Sequence, residues 1–157
     1  NNGGGNLSYA ETVAARFTNE RVLTGYICHK TGVGHSDFSS PEPIYLDSSD
    51  GIRWQKPVCV LTNRSSYSAT NDFVKMMRTL PLVTVVGDRT GGGSGLPFSS
   101  ELPNGWGVRF SACPSYDVDM QHTEFGIYPD VRVEMCEEER ARGMDTIIEE
   151  ARKILNK

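Results

Sequence analysis

Two apolar runs separated by a segment of helical spacing constrain the fold of this chain most strongly. The runs "KPVCVLTN", residues 56–63, and "LVTVVGD", residues 82–88, have the continuous hydrophobicity of strands buried on both faces of a sheet. Between them, apolar residues recur at helical spacing over residues 69–80, and Pro81 ends the helix. This order predicts a parallel βαβ unit.

The rest of the chain predicts further strands and two terminal helices around this unit. Ser8 and Glu11 form a capping box, which predicts a helix that begins at Ser8 and ends near Phe17. The other predicted elements are a strand at 21–30, a short strand at "PIYL" in a loop over 31–51, a hairpin at 97–116 with a type I′ turn at Asn104-Gly105, an extended piece at 126–135 and one helix over 137–155. The predicted fold class is α/β in a single domain.

Composition limits the classes of partner. The chain has 157 residues, enough for one domain, and its 16 Lys and Arg against 20 Asp and Glu give a formal charge of −4. The absence of a basic cluster argues against nucleic acid as a partner. No apolar run approaches the roughly 18 residues of a membrane span. The four cysteines are widely spaced and form no CxxC pair, so no zinc site is predicted.

The turn between the predicted strand and helix is rich in hydroxyl groups. It reads "NRSSYSATNDF", residues 63–73. A serine attacks a carbonyl only when a base removes its proton and the developing oxyanion is stabilised, and unpaired N–H groups at a helix N-terminus can stabilise it. Ser68 is the candidate nucleophile on this reasoning. The alternative is that Ser66 or Ser68 simply caps the helix.

Four motifs, in order along the chain, carry a family resemblance. They are "NNGGGN", "VCVLTNRSSYSATNDF", "VVGDRTGGGSG" and "EFGIYPDVRV". Together they resemble the C-terminal processing peptidase family, the tail-specific and tricorn-like serine peptidases of family S41. The resemblance implies a ClpP/crotonase-like α/β core with the parallel βαβ unit and a β-hairpin. It also implies hydrolysis of peptide or protein substrates without a metal or an organic cofactor.

The resemblance assigns roles to five residues. It places the nucleophile on Ser68 and one oxyanion donor on the N–H of Ala69. A second donor is expected from the opening glycines, Gly3 and Gly4, where the missing Cβ lets the backbone approach a substrate carbonyl. Glu124 matches a glutamate that holds the serine orienting a histidine base. A plain solvent-exposed role for Glu124 is the alternative.

Two departures from the family pattern concern the base and an acidic residue. Gly93 stands where the tail-specific branch has its catalytic lysine, and Asn71 stands where the family has a glutamate. The resemblance therefore favours the tricorn-like branch, with a histidine base outside these 157 residues. His29, His35 and His122 are the alternatives within the chain, although none matches the family position.

Further expectations follow from the start of the chain and from the family. The chain opens in a glycine turn without an initiator Met, so residues 1–157 are predicted to be the C-terminal part of a peptidase catalytic domain whose upstream domain or domains are missing. The isolated piece is expected to be inactive, and the family suggests the bacterial cell envelope. Two rival functions stay open: a non-catalytic relative that binds hydrophobic ligands, and a crotonase-like acyl-transfer enzyme acting on a thioester.

Overall fold

A computed structural model describes residues 1–156 as an α/β fold. A 3-10 turn at Ala15–Phe17 extends the first helix. The elements are α1 (Leu7–Ala14), β1 (Val22–Ile27), β2 (Glu42–Leu46), β3 (Val58–Thr62), α2 (Ala69–Arg78), β4 (Val83–Gly87), β5 (Phe98–Glu101), β6 (Gly107–Phe110), β7 (Ser115–Tyr116), β8 (Val131–Arg132), α3 (Glu137–Ala141) and α4 (Thr146–Leu155).

The predicted βαβ unit is confirmed. Strands β3 and β4 pair in parallel, with Val58 opposite Val83, and β8 adds a second parallel pairing to β4. Helix α2 crosses between β3 and β4 and buries its apolar side, where Val74 packs with Val85. The prediction that both strands are buried on both faces holds better for β4 than for β3, because Leu61 in β3 is 40% exposed.

Antiparallel strands flank this unit. Strand β1 pairs with β2 on one side and with β7 on the other, and β5 pairs with β6 as the predicted hairpin. The α/β class with a parallel βαβ unit and a hairpin is therefore as predicted. Among residues 1–156, no helix combines the length and the apolar character needed to cross a membrane.

Three local predictions were wrong in detail. Asn6, not Ser8, caps α1, because its side chain accepts a hydrogen bond from the Ser8 N–H at 3.0 Å. The hairpin turn is not type I′, because only Gly105 of the Asn104-Gly105 pair has a positive φ. The C-terminal helix is interrupted between α3 and α4, where Gly143 has a φ of +76° that a continuous helix does not allow.

Candidate active site

Ser68 has an unusual backbone conformation at the start of α2. Its φ is 59° and its ψ is −127°, a region that costs a non-glycine residue of the order of 1–3 kcal/mol and is most often seen at functional sites. The Ser68 side chain makes no capping hydrogen bond to the helix. Ser66 does not cap it either, since its buried Oγ accepts from the Asn63 N–H at 3.2 Å. The helix-capping alternative therefore explains neither serine.

Hydrogen bonds fix the Ser68 backbone from two directions. The Ser68 N–H donates to Gly92 O at 2.7 Å, and Ser68 O accepts from the Asn71 N–H at 2.7 Å. The N–H of Ala69, by contrast, donates to no atom of residues 1–156. The turn thus holds the serine in place and leaves the next amide free to bind an oxyanion, as the sequence predicts for Ala69.

The opening glycines pack directly against this turn. A Cβ on Gly4 would lie 2.6 Å from Tyr67 O and 2.7 Å from Ser68 Cβ, and the φ of Gly4 is +95°. Tyr67 N–H donates to Asn2 O at 3.1 Å, which ties the two segments together. Only glycine therefore fits at position 4, and the structure brings the two predicted loops into contact.

The structure argues against Gly4 as the second oxyanion donor. Its N–H already donates to Asn2 Oδ1 at 3.0 Å, so that amide is not free to serve as the second oxyanion donor. The N–H groups of Gly3 and Gly5 make no hydrogen bond within residues 1–156. The glycine segment thus retains two candidate donors, Gly3 and Gly5.

Glu124 lies against the glycine loop that follows β4. Its main-chain oxygen accepts from the Gly93 N–H at 2.9 Å, and its carboxylate accepts from Ser111 Oγ at 2.6 Å. Because Gly92 O in the same loop accepts from the Ser68 N–H, the structure brings Glu124 close to the serine turn. Sequence reasoning missed Ser111, which no motif distinguishes from the other serines of the hairpin region.

Gly93, which the resemblance matches to the lysine of the tail-specific branch, has no room for a side chain unless Tyr67 moves. A Cβ on Gly93 would lie 2.4 Å from the ring of Tyr67, and the φ of Gly93 is +80°. Helix α2 contains one lysine, Lys75, which is buried and donates to Ser115 Oγ at 2.7 Å. Within residues 1–156, no lysine lines the cavity that contains Ser68.

The three histidines lie outside that cavity as well. His122 packs edge-on against Tyr116, with ring centroids 5.2 Å apart, and His29 Nδ1 is 3.6 Å from Cys113 Sγ. Neither these two nor His35 lines the cavity of Ser68 among the residues described, 1–156. Within residues 1–156, the walls of this cavity therefore contain the candidate nucleophile Ser68 but neither a histidine nor a lysine.

Asn71 stands at the family's glutamate position and is fully buried. Its Nδ2 donates to Ser94 Oγ at 2.7 Å and to Thr123 O at 3.0 Å, and its Oδ1 accepts from Thr90 Oγ1. A carboxylate has no N–H to donate, so it cannot bond the Thr123 carbonyl, and the Ser94 hydroxyl would have to turn and donate instead. The amide therefore joins α2 to the glycine loop and to the segment that carries Glu124.

Two cavities meet at the contact between the glycines and the serine turn. One, of about 510 Å³, contains Ser68 and is lined by Gly3, Gly4, Tyr67 and Arg109, among others. The other, of about 610 Å³, is lined mainly by apolar side chains, and its walls include Tyr9, Val13, Leu61 and Phe73. Gly4 and Gly5 contribute to both cavities.

A buried ion pair lies one to two turns after Ser68 on α2. Asp72 Oδ1 is 3.2 Å from Lys75 Nζ. Burial raises the pKa of the Asp72 carboxyl, while the charge and hydrogen bond of Lys75 act in the opposite direction. Both side chains are directed into the protein and are absent from the walls of the Ser68 cavity, so they support α2 and do not face a substrate.

Known proteins resemble this chain in fold and in sequence. The model of peptidase family S41 matches residues 1–133. A solved structure of a candidate peptidase from Parabacteroides merdae is 64% identical with a TM-score of 0.94, and the match covers 98% of this chain and 49% of that one. Mature CPAF complexed with lactacystin is 14% identical with a TM-score of 0.83, over 98% of this chain and 41% of that one, which shows likeness of fold alone.

A curated relative is more distant. A protein from Chlamydia muridarum is 24% identical over 131 residues, which are 78% of this chain and 22% of that protein. This chain therefore spans about half the length, or less, of the relatives it matches. The family model nevertheless covers most of the chain and includes the glycine segment, the serine turn and Glu124. The chain belongs to peptidase family S41, as its four motifs predicted.

Proposed function

We propose that these 157 residues are the C-terminal part of the catalytic domain of a serine-type endopeptidase of the tricorn-like branch, acting on peptide or protein substrates. One observation carries the proposal: Ser68 has a strained conformation beside a free Ala69 N–H and packs against Gly4. Membership of family S41 supports it. The bacterial cell envelope stays the predicted compartment.

The proposed reaction proceeds through an acyl-enzyme. Ser68 Oγ attacks the scissile carbonyl, and the resulting oxyanion accepts hydrogen bonds from the N–H of Ala69 and of Gly3 or Gly5. A histidine from a part of the protein outside this chain takes the serine proton and passes it to the leaving amine. Glu124 acts through a hydroxyl group to orient that base, and its present partner is Ser111. Water then hydrolyses the ester.

Labelling of the full natural chain with a fluorophosphonate probe tests this function. The probe should phosphonylate Ser68 Oγ with loss of fluoride, and Ser68→Ala should abolish the labelling. Ser65→Ala is the matched control, because Ser65 is exposed on the same turn. Equal labelling of the Ser68→Ala variant would refute Ser68 as the nucleophile.

The 157-residue chain alone should show little or no peptidase turnover, because the proposed base lies outside it. Hydrolysis of a fluorogenic casein substrate by the purified chain measures this. Turnover that disappears in Ser68→Ala would contradict the proposal and would place a base within these residues.

A second candidate function is binding of an apolar ligand without catalysis. The apolar cavity of about 610 Å³ favours it, because Leu61 and Phe73 on its wall offer hydrocarbon surface. A fluorescent fatty acid would then bind the full natural chain, and Leu61→Asp would weaken that binding. Binding of this ligand together with an unreactive Ser68 would favour the carrier over the peptidase.

A further inference from the structure

The cavity of Ser68 contains one charged side chain within residues 1–156. Its walls consist of the opening glycines and Gly93, the aromatic rings of Tyr67 and Phe110, Pro97, two serines and Arg109. Arg109 is the positive group on these walls, and the Glu124 carboxylate lies one hydrogen bond behind them, on Ser111. Arg109 is solvent-exposed, so its guanidinium is an accessible cation on the wall of this cavity.

Arg109 is unpaired in this structure. None of the ion pairs or side-chain hydrogen bonds within residues 1–156 involves its guanidinium. By register, Arg109 lies opposite Ser99, which places Glu101 diagonally across the hairpin, yet the two side chains form no ion pair. The carboxylate of Glu124 is bonded to Ser111. The guanidinium thus keeps its donors available for a ligand.

The backbone that carries Arg109 is fixed at both sides. Phe98 and Phe110 pack across the β5–β6 hairpin with ring centroids 5.6 Å apart. Ser111, two residues after Arg109, is bonded to the Glu124 carboxylate. Because this anchor belongs to the candidate active site, the backbone at Arg109 is fixed relative to Ser68, while its exposed side chain is free to turn toward a ligand.

We propose that Arg109 is a carboxylate-binding subsite for the peptide substrate. Guanidinium and carboxylate groups form two parallel charge-assisted hydrogen bonds, which the planar fork of arginine favours. The carboxylate belongs either to an Asp or Glu side chain near the scissile bond or to the C-terminus of the peptide, since both have the same chemistry. This inference rests on the proposed function and adds a substrate class to it.

Peptide selection by the full natural chain tests the subsite. The protein carries Ser68→Ala, so that bound peptides are not consumed, and is presented with randomised hexapeptide libraries that have either a free or an amidated C-terminus. Retained peptides are sequenced by mass spectrometry. Enrichment of Asp and Glu in the amidated library identifies a side-chain carboxylate, whereas retention of the free-acid library alone identifies the C-terminus.

Three variants decide the outcome. Arg109→Gln should reduce the carboxylate preference about tenfold or more, and Arg109→Glu should select Lys and Arg instead. Arg132→Gln is the control, because Arg132 pairs with Glu134 and lies outside the cavity. A preference that survives in Arg109→Gln, or the absence of any carboxylate preference in the parent protein, would overturn the inference.

Fluorophosphonate labelling separates this inference from the proposed function. With Ser68 restored, the parent and the control Arg132→Gln should be labelled at the same rate, because Arg132 lies outside the cavity. An unlabelled parent contradicts the peptidase proposal, while the selection on the Ser68→Ala protein still decides whether Arg109 binds carboxylates. A labelled parent without carboxylate preference contradicts the subsite alone.

Discussion

At the scale of single residues, the buried amide of Asn71 shows how the site is held together. It donates to Ser94 and to Thr123 O while accepting from Thr90, so one side chain joins three segments. A buried network of this kind is stable only when every member has its partner. The departure from the family's glutamate is therefore matched by neighbours that need both a donor and an acceptor.

Asn71→Asp should lower the free energy of unfolding by about 3 kcal/mol. At neutral pH the buried carboxylate would face the Thr123 carbonyl and would have no N–H to donate to it. Urea unfolding measures the change. Asn104→Asp is the matched control: Asn104 is exposed and accepts from the Trp106 N–H, which a carboxylate also does. Equal losses in the two variants would contradict the importance of the Asn71 network.

Some of these residues could be predicted from the sequence and others could not. Ser68 follows from a local signal, because an apolar strand, a hydroxyl-rich turn and a helix are consecutive in the chain. Ser111 has no such signal, since its meeting with Glu124 depends on how the hairpin packs against the glycine loop. Likewise, the engagement of the Gly4 amide by Asn2 depends on the fold of the opening segment and not on its composition.

At the scale of elements, α2 follows the candidate nucleophile Ser68 directly and carries a buried ion pair. Asp72 and Lys75 lie on the side of α2 that turns into the protein, where Lys75 reaches Ser115 in β7. The pair thereby connects the helix to the antiparallel sheet. The nearby carboxylate of Glu124 also raises the pKa of Asp72, though less than burial does.

The raised pKa of Asp72 has a defined sign for stability. The folded protein binds this proton more tightly than the unfolded chain, so the contribution is fully present below the ordinary pKa of 3.8 and is lost as the pH rises through the folded pKa. Lys75→Met removes the attraction that lowers this pKa. The free energy of unfolding should then fall up to a higher pH than in the parent.

Urea unfolding at a series of pH values measures this effect. At pH 7, Lys75→Met should cost on the order of 3 kcal/mol, because it leaves a buried carboxylate without its partner. Asp72→Asn introduced into the Lys75→Met protein should remove the additional pH dependence. The same pH profile with and without Asp72 would assign the dependence to another group.

The elements themselves were predictable where the pattern is local. The spacing of apolar residues and Pro81 defined β3, α2 and β4, because burial on a sheet and on a helix face has distinct periods. The break at Gly143 was missed because the residues on both sides favour a helix. The type of the hairpin turn was predicted wrongly, because Leu102 O accepts a hydrogen bond from the Gly105 N–H. This bond closes a turn with Pro103 and Asn104 at its centre, which the Asn-Gly pair alone does not indicate.

At the scale of the whole molecule, the site joins segments that are far apart in the chain. Gly4, near the start of the chain, packs against Ser68. Glu124, in the C-terminal half, is linked to the same serine turn through its bond to Gly93 and the bond of Gly92 to Ser68. Such contacts depend on the complete fold. The sequence could suggest them only through the family resemblance.

Gly4→Ala should reduce the rate of fluorophosphonate labelling about 10²-fold, because the new Cβ would displace Tyr67 and Ser68 from their positions beside the Ala69 N–H. The measurement uses the full natural chain. Gly107→Ala is the control, since a Cβ at Gly107 meets no atom within 4 Å. Labelling of Gly4→Ala at the parent rate would show that the close packing is not required.

The ring of Tyr67 above Gly93 has a consequence for the design of new catalysts on this scaffold. An engineer who wants a primary amine beside Ser68 would naturally graft lysine at position 93. That graft meets an aromatic wall and a left-handed backbone at once. The half-exposed Tyr67 ring would have to turn away and the loop would have to change its backbone, so a single substitution at position 93 does not place an amine beside Ser68.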